Sequence, residues 1–283
     1  MHFLHSLFQH LLPTACIVCT RHQTEMVCPA CFAFLENQSL FHYPCCIRCG
    51  VDLDGHNTKQ KQCSNCLLQA PAFDRTHCLD RYDGVLQQAM HQLKYQRRLA
   101  IADAFAFTWS LLAMPHLDTS EAAVLLPVPL STQKLNRRGF NQSWEIARRI
   151  RLPPSIEPIA NALGRHHSDA NQVGHNRLDR QTALRHAFYI HPEALAKIQN
   201  KSIVVFDDVM TTGSTLHEIA TLLKDNGARS VVNWVVLRAL RPQTRIHSKD
   251  LSRCLMLFYL SLKFRPTRAI SFACAPTPGQ RYI

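Results

Sequence analysis

Between residues 16 and 66 the chain carries nine cysteines, and eight of them fall into four Cys-x-x-Cys pairs: Cys16/Cys19, Cys28/Cys31, Cys46/Cys49 and Cys63/Cys66. Two thiolates three residues apart on a tight knuckle can face one ion, and two knuckles close a tetrahedral Zn(II) site. Four knuckles therefore predict two structural zinc sites of four sulfurs each. Pairing consecutive knuckles is the simplest assignment, with a crossed pairing as the alternative. Cys45 could stand in for Cys46 at a wider spacing, although Cys46 keeps the two-residue gap. The segment has only short apolar stretches between polar residues, so metal binding would supply much of its folding free energy, on the order of 10 kcal/mol per site. A redox role fits a single pair better than four in series. Cys78, Cys254 and Cys274 stand alone and read as small hydrophobes.

A disulfide framework would need an oxidising compartment. The opening Met1–Pro13 is apolar but has histidines where a secretory signal has a basic region, so a cytoplasmic, reducing setting is expected. No apolar run approaches the ~18–20 residues of a membrane span. The chain of 283 residues is 46% hydrophobic, which excludes disorder and fits one or two globular domains. Its formal net charge is +12, but much of that lies at the end: Leu240–Ile283 holds eight Lys+Arg against one acid, Asp250. The remaining excess suits a phosphate-bearing ligand without by itself indicating nucleic acid.

Beyond the cysteines the pattern becomes α/β. Val85, Leu86, Ala89, Met90 and Leu93 mark one face of a helix, and a second helical stretch spans roughly Leu99–Ala113. Ala123–Val128 reads as a buried strand entering a Pro-constrained loop. Asn141 caps a helix expected to reach about Ile150, where Pro153-Pro154 stops it. A polar loop is expected over Gly164–His175, then a short helix from Asn176 to about Arg185. The clearest unit follows: strand Ser202–Phe206, loop Asp207–Ser214, helix Thr215–Asp225 ended by Asn226-Gly227, and strand Val231–Leu237. Such a βαβ unit predicts a parallel sheet.

The loop of that unit carries the chemistry. It runs Asp207-Asp208-Val209-Met210-Thr211-Thr212-Gly213-Ser214-Thr215 after four apolar strand residues. A helix N-terminus offers free N–H groups to an anion at the carboxyl end of a strand. Thr211, Thr212, Ser214 and Thr215 add hydroxyls, and Gly213 lets the backbone approach, an arrangement suited to a phosphate monoester. Asp207 and Asp208 are poorly placed to hold phosphate and well placed to hydrogen-bond a ribose diol. Neither a dinucleotide fingerprint nor a Walker loop is present.

This segment resembles the phosphoribosyl-pyrophosphate motif of type I phosphoribosyltransferases. Residues ~16–239 further resemble the competence protein F (ComF/GntX-type) family, which joins a double zinc ribbon to a phosphoribosyltransferase-like domain and is associated with DNA uptake and use. Leu126-Pro127-Val128-Pro129-Leu130 with Arg137-Arg138-Gly139-Phe140-Asn141-Gln142 is similar to that family's most specific signature. His91–Tyr95 resembles its Lys-aromatic segment, and Arg165, Gln172 and Arg180 resemble a later loop.

The resemblance implies an α/β fold: a parallel-sheet domain over 76–239 preceded by a small double zinc-ribbon domain over 1–75, with 240–283 a basic, poorly ordered tail. It implies Asp207 and Asp208 on the ribose hydroxyls and Met210–Thr215 around the 5′-phosphate. Lys94, Arg137 and Arg138 are candidates for the pyrophosphate side, with Mg(II) accompanying phosphoribosyl pyrophosphate. Two functions follow. One is a Mg(II)-dependent phosphoribosyltransferase whose acceptor the residues do not define. The other is a non-catalytic DNA-uptake adaptor that contacts single-stranded DNA or a partner protein and uses the phosphate site, filled by this or a related nucleotide phosphate, for regulation. The diacid favours ligand binding under either. The tail exceeds the usual family end; it reads as sequence beyond the usual stop in preference to a partner-binding extension, and its Leu255–Leu262 patch is too short to span a membrane.

Overall fold

The computed structural model describes residues 14–23, 25–53, 61–166 and 187–239. In chain order the elements begin with a two-residue pair, β1 (Thr14–Ala15) and β2 (His22–Gln23), then α1 (Pro29–Gln38), α2 (Ser64–Leu68) and β3 (Arg75–Arg81). Helices α3 (Gly84–Gln96) and α4 (Ala100–Thr108) lead to β4 (Ala122–Pro127), α5 (Thr132–Arg138), α6 (Gln142–Ala147), β5 (Glu157–Pro158) and β6 (Leu163–Arg165). After β7 (Phe188–Ile190) and α7 (Leu195–Ile198) come β8 (Ser202–Met210), α8 (Ser214–Asp225) and β9 (Ser230–Arg238).

Five strands form one sheet in the order β3-β9-β8-β4-β5, and every pairing in it is parallel. Parallel strands need helical crossovers, and those helices cover both faces, so the strands are buried on both sides and read as unbroken apolar runs. Alternation within β8 shows the division. Ile203 and Val205 face Leu216, Ile219, Ala220 and Leu223 of α8, while Val204 and Phe206 face the other layer. There Trp109 packs edge-on to Phe206, ring centroids 5.6 Å apart, and against Trp234 at 5.9 Å.

The cysteine-rich segment adds to both layers. Val27 and Leu35 join the first, and Leu40, Leu53 and Phe73 join the second. It also covers the sheet edge: the Thr76 N–H of β3 donates to the Ile47 carbonyl (3.0 Å), and the Ser39 hydroxyl donates to that of Leu79 (2.9 Å). An uncovered parallel edge would leave those groups to pair with another chain.

Several expected boundaries moved. Strand β8 continues through the diacid to Met210 because β9 is equally long and supplies partners for Asp207, Val209 and Met210. The second helix is regular only to Thr108 and then widens over Trp109–Ala113. The Thr108 and Ser110 hydroxyls donate to the Ala104 and Ala106 carbonyls there, a competition that bends helices. Helix α6 ends at Ala147, its last turn tightening through Arg149 N–H to Ile146 and Ile150 N–H to Ala147. Gly164 and Arg165 belong to β6, antiparallel to β7, rather than to a loop. The expected helix from Asn176 to Arg185, Gln172, Arg180 and the 240–283 tail lie outside the described residues.

Candidate functional site

The sulfurs of Cys16, Cys19, Cys28 and Cys31 all lie within 4.8 Å of one another, and so do those of Cys46, Cys49, Cys63 and Cys66. Knuckles therefore group consecutively, and Cys46 rather than Cys45 is used; the Cys45 thiol instead donates to the Leu40 carbonyl. Four sulfurs about 2.3 Å from a tetrahedral zinc stand about 3.8 Å apart. Cys19 and Cys28 are 3.8 Å apart and Cys49 and Cys63 are 3.6 Å apart, so both tetrads fit the ion. In each, a backbone N–H of the second knuckle reaches the first sulfur of the first: Cys28 to Cys16 at 3.4 Å, Cys63 to Cys46 at 3.3 Å. Thiol hydrogen bonds from Cys49 and Cys66 hold the Cys46 thiol well below its usual range, which favours the thiolate a metal needs.

The second centre opens at the carboxyl end of β8. Asp207 and Val209–Leu216 line a small, open polar cleft. Helix α8 follows, and its N-cap, Gly213, is left-handed at φ +82 and has no side chain to satisfy the first-turn N–H groups. Helices α5 and α6 differ, being capped by Ser131 and Asn141. The Thr212 and Ser214 hydroxyls sit 2.9 Å apart over the turn. The Ser214 N–H reaches the Thr212 hydroxyl at 3.4 Å, and the remaining first-turn N–H groups, the clustered hydroxyls and the positive end of a twelve-residue helix can hold an anion. The oxygen donors lining the cleft are the hard kind that Mg(II) accepts beside substrate phosphates.

Beneath the cleft the diacid is buried, Asp207 to 8% exposure and Asp208 to 4%. The Ser143 hydroxyl lies 3.4 Å from an oxygen of each acid, and the Gln142 amide donates to Asp208 Oδ1 at 2.9 Å. Asp208 Oδ2 is fully enclosed and rests on the Lys94 ammonium. Burial, and then the neighbouring Asp208 charge, raise Asp207 well above the usual carboxyl range. Burial pushes Asp208 the same way, but Lys94 and Gln142 outweigh it and hold Asp208 below that range. Their surroundings therefore push the two neighbouring carboxyls in opposite directions.

Lys94 and Arg138 therefore reach the diacid, the second through Gln142, whose Oε1 takes its guanidinium. The Lys94 side chain is largely buried, turned in from α3 to Asp208. Arg137 is exposed and, among the described contacts, offers only its carbonyl, to Arg97 at 2.8 Å. Gln142 and Ser143 escaped the sequence reading as diacid partners, although Gln142 stands inside the Arg137–Gln142 run. Arg238 was missed altogether: buried, it donates to the carbonyls of Met210 and Thr211 at the start of the glycine turn.

A parallel sheet whose central strand carries a diacid near its carboxyl end and leads into a hydroxyl-rich glycine turn fits a phosphoribosyltransferase-type domain, here preceded by two cysteine tetrads. The phosphoribosyl transferase domain family matches residues 145–257. Competence protein F of Haemophilus influenzae is 29% identical over 204 residues, covering 70% of this chain and 86% of its own. DNA utilization protein YhgH of Escherichia coli K12 is 32% identical over 199 residues, covering 69% and 84%. The chain belongs to the family of competence protein F and YhgH. A solved hypoxanthine phosphoribosyltransferase from Staphylococcus aureus is a distant likeness, aligned over 52% of this chain and 69% of its own at 16% identity and a TM-score of 0.29.

Proposed function

We propose that this protein binds phosphoribosyl pyrophosphate together with Mg(II), as a cytoplasmic phosphoribosyltransferase-like member of its family serving DNA uptake or use. The observation that carries the reading is the buried diacid, Asp207 and Asp208, at the floor of a cleft lined by Asp207 and the hydroxyl-rich turn that opens α8. In this reading residues 1–75 form a ribbon holding two zinc ions and 76–239 form the phosphoribosyl-binding domain.

Asp207, which lines the cleft, and Asp208 beside it hydrogen-bond the ribose hydroxyls, which fixes the ring. Met210, Thr211, Thr212, Gly213, Ser214 and Thr215 hold the 5′-phosphate through N–H and hydroxyl donors. Lys94 and Arg138, already joined to the diacid, supply cations for the pyrophosphate, and exposed Arg137 lies at the same α5 end as Arg138. Mg(II), when bound, supplies positive charge to the leaving pyrophosphate. If a nucleophile displaces pyrophosphate from C1, these residues orient the ring and spread the departing charge.

The test is calorimetric titration of the zinc-loaded chain with phosphoribosyl pyrophosphate and Mg(II). Micromolar binding that disappears in an Asp207→Asn/Asp208→Asn variant supports the site; a folded wild type that binds nothing sinks it.

One observation favours the adaptor reading. Tyr95 is 57% exposed and stands beside exposed Arg97 and Arg98, with Arg138 5.7 Å from its ring. Aromatic faces interleaved with cations suit single-stranded nucleic acid. A Tyr95→Ala variant that keeps phosphoribosyl pyrophosphate binding but loses oligodeoxythymidine binding would support it.

A further inference from the structure

One buried side chain ties the glycine turn to the second cysteine tetrad. Arg238, the last residue of β9, is 7% exposed, and among the described residues no carboxylate pairs with it. Its Nε donates to the carbonyl of Cys49 at 2.8 Å. Its Nη1 donates to the carbonyls of Met210 (3.1 Å), Thr211 (2.5 Å) and Ala239 (2.6 Å).

Burying a guanidinium without a counter-charge is costly, so its position calls for a reason. Four thiolates around a divalent ion carry a net charge of −2, and a filled second tetrad would supply that counter-charge next to Arg238.

Two more contacts follow the same route. The Ala72 N–H donates to His217 Nδ1 on α8 at 2.9 Å. A Cβ on Gly213 would stand 3.7 Å from the Phe73 ring, and the Phe73 carbonyl is held at 2.8 Å by Arg48, which lies inside the Cys46–Cys49 knuckle. The described residues show no comparable hydrogen bond from the first tetrad to the turn.

We propose that Arg238 is a positioning residue through which metal occupancy of the second tetrad sets the shape of the Met210–Thr215 turn, and hence its affinity for a sugar phosphomonoester. The inference rests on reading that turn as a phosphate site. It makes the second tetrad a control element for the site as well as a structural one. Loss of its metal, or oxidation of its thiols, would release the turn without touching any residue that meets the ligand.

The experiment uses the full zinc-loaded chain, an Arg238→Met variant, a Cys46→Ser/Cys49→Ser variant and their combination. Ribose 5-phosphate is the probe, and amide hydrogen exchange is read across Thr211–Thr215, with β4 amides and the melting curve reporting global folding. The expected result is at least ten-fold weaker ribose 5-phosphate binding and at least ten-fold faster turn exchange in each single variant. The combination should be no worse than either, because both act through one tie. Single variants that melt as folded proteins yet keep turn exchange within two-fold of wild type overturn the proposal, as do effects that multiply in the combination. If wild type fails to bind ribose 5-phosphate, the phosphate reading falls, and the exchange pattern alone still decides whether Arg238 transmits the state of the tetrad.

Discussion

Replacing Lys94 by methionine removes the one cation on a fully enclosed oxygen of Asp208 while keeping most of the side chain's volume. Lys94 and Asp208 side chains are 16% and 6% exposed, so solvent screens the pair little. In the variant Asp208 has two options. It can stay charged beside Asp207 with only Gln142 and Ser143 for support, or it can take a proton. Breaking a buried pair by deleting one partner costs about 3–5 kcal/mol. Protonation sets a ceiling close to that: holding a proton at pH 7 on a carboxyl of ordinary pKa costs about 4 kcal/mol, at about 1.4 kcal/mol per pH unit. In wild type the depressed Asp208 contributes stability that is full above the ordinary carboxyl pKa and is lost only as pH falls through the lower folded value, so this group leaves wild type level between pH 7 and 5. In the variant, the cost of carrying a proton on folded Asp208 falls as pH approaches the ordinary carboxyl pKa. Urea denaturation of wild type and Lys94→Met should therefore differ by about 3–4 kcal/mol at pH 7, and the gap should shrink by more than 1 kcal/mol per unit as pH is lowered toward 5. A gap that is independent of pH, or below about 1 kcal/mol at pH 7, refutes the argument that Lys94 is what keeps Asp208 ionised.

Three other outcomes are expected. Gly213→Ala places a Cβ 2.5 Å from Met210 Cε at φ +82, so it should cost about 1–2 kcal/mol in urea and weaken ribose 5-phosphate binding; unchanged binding would count against the turn as the phosphate cradle. Burial raises Asp80 to about 7, so the folded protein loses stability as pH rises from about 4 to 7, and Asp80→Asn should be the more stable chain at pH 8 by up to about 4 kcal/mol, read from melts across that range. Mercurial titration with a zinc-sensitive dye should release two zinc ions per chain, and only one from Cys16→Ser/Cys19→Ser; a zinc-free chain with an unaltered melt would remove the metal from the folding argument.

Legibility followed locality. The Ser202–Arg238 unit was readable because its apolar strand, glycine turn and amphipathic helix are each set by neighbours a few residues away. Asn141 was readable as a cap for the same reason, its side chain accepting from the Ser143 N–H at 3.0 Å. The end of β8 was misjudged because acids and a glycine turn look like loop, whereas β9 supplied a ladder that held Asp207 and Asp208 in extended backbone. The helical stretch to Ala113 was placed correctly, but its widening after Thr108 was not, because side-chain hydroxyls at Thr108 and Ser110 compete for carbonyls that apolar periodicity ignores.

The amino-acid order by itself determined four Cys-x-x-Cys knuckles, a parallel α/β unit and a diacid before a hydroxyl-rich glycine turn, since each depends on spacing within one or two adjacent elements. Only the tertiary structure decided what surrounds them. The order β3-β9-β8-β4-β5 sets β8 between β9 and β4, so that α3 brings Lys94 onto Asp208 and α6 brings Gln142 beneath it. The same packing joins Arg238 to Cys49 across 189 residues of chain. Such pairs arise from strand order and helix placement, which hydrophobic periodicity along the chain does not encode, and they surround a recognisable motif with charged and hydrogen-bonding partners.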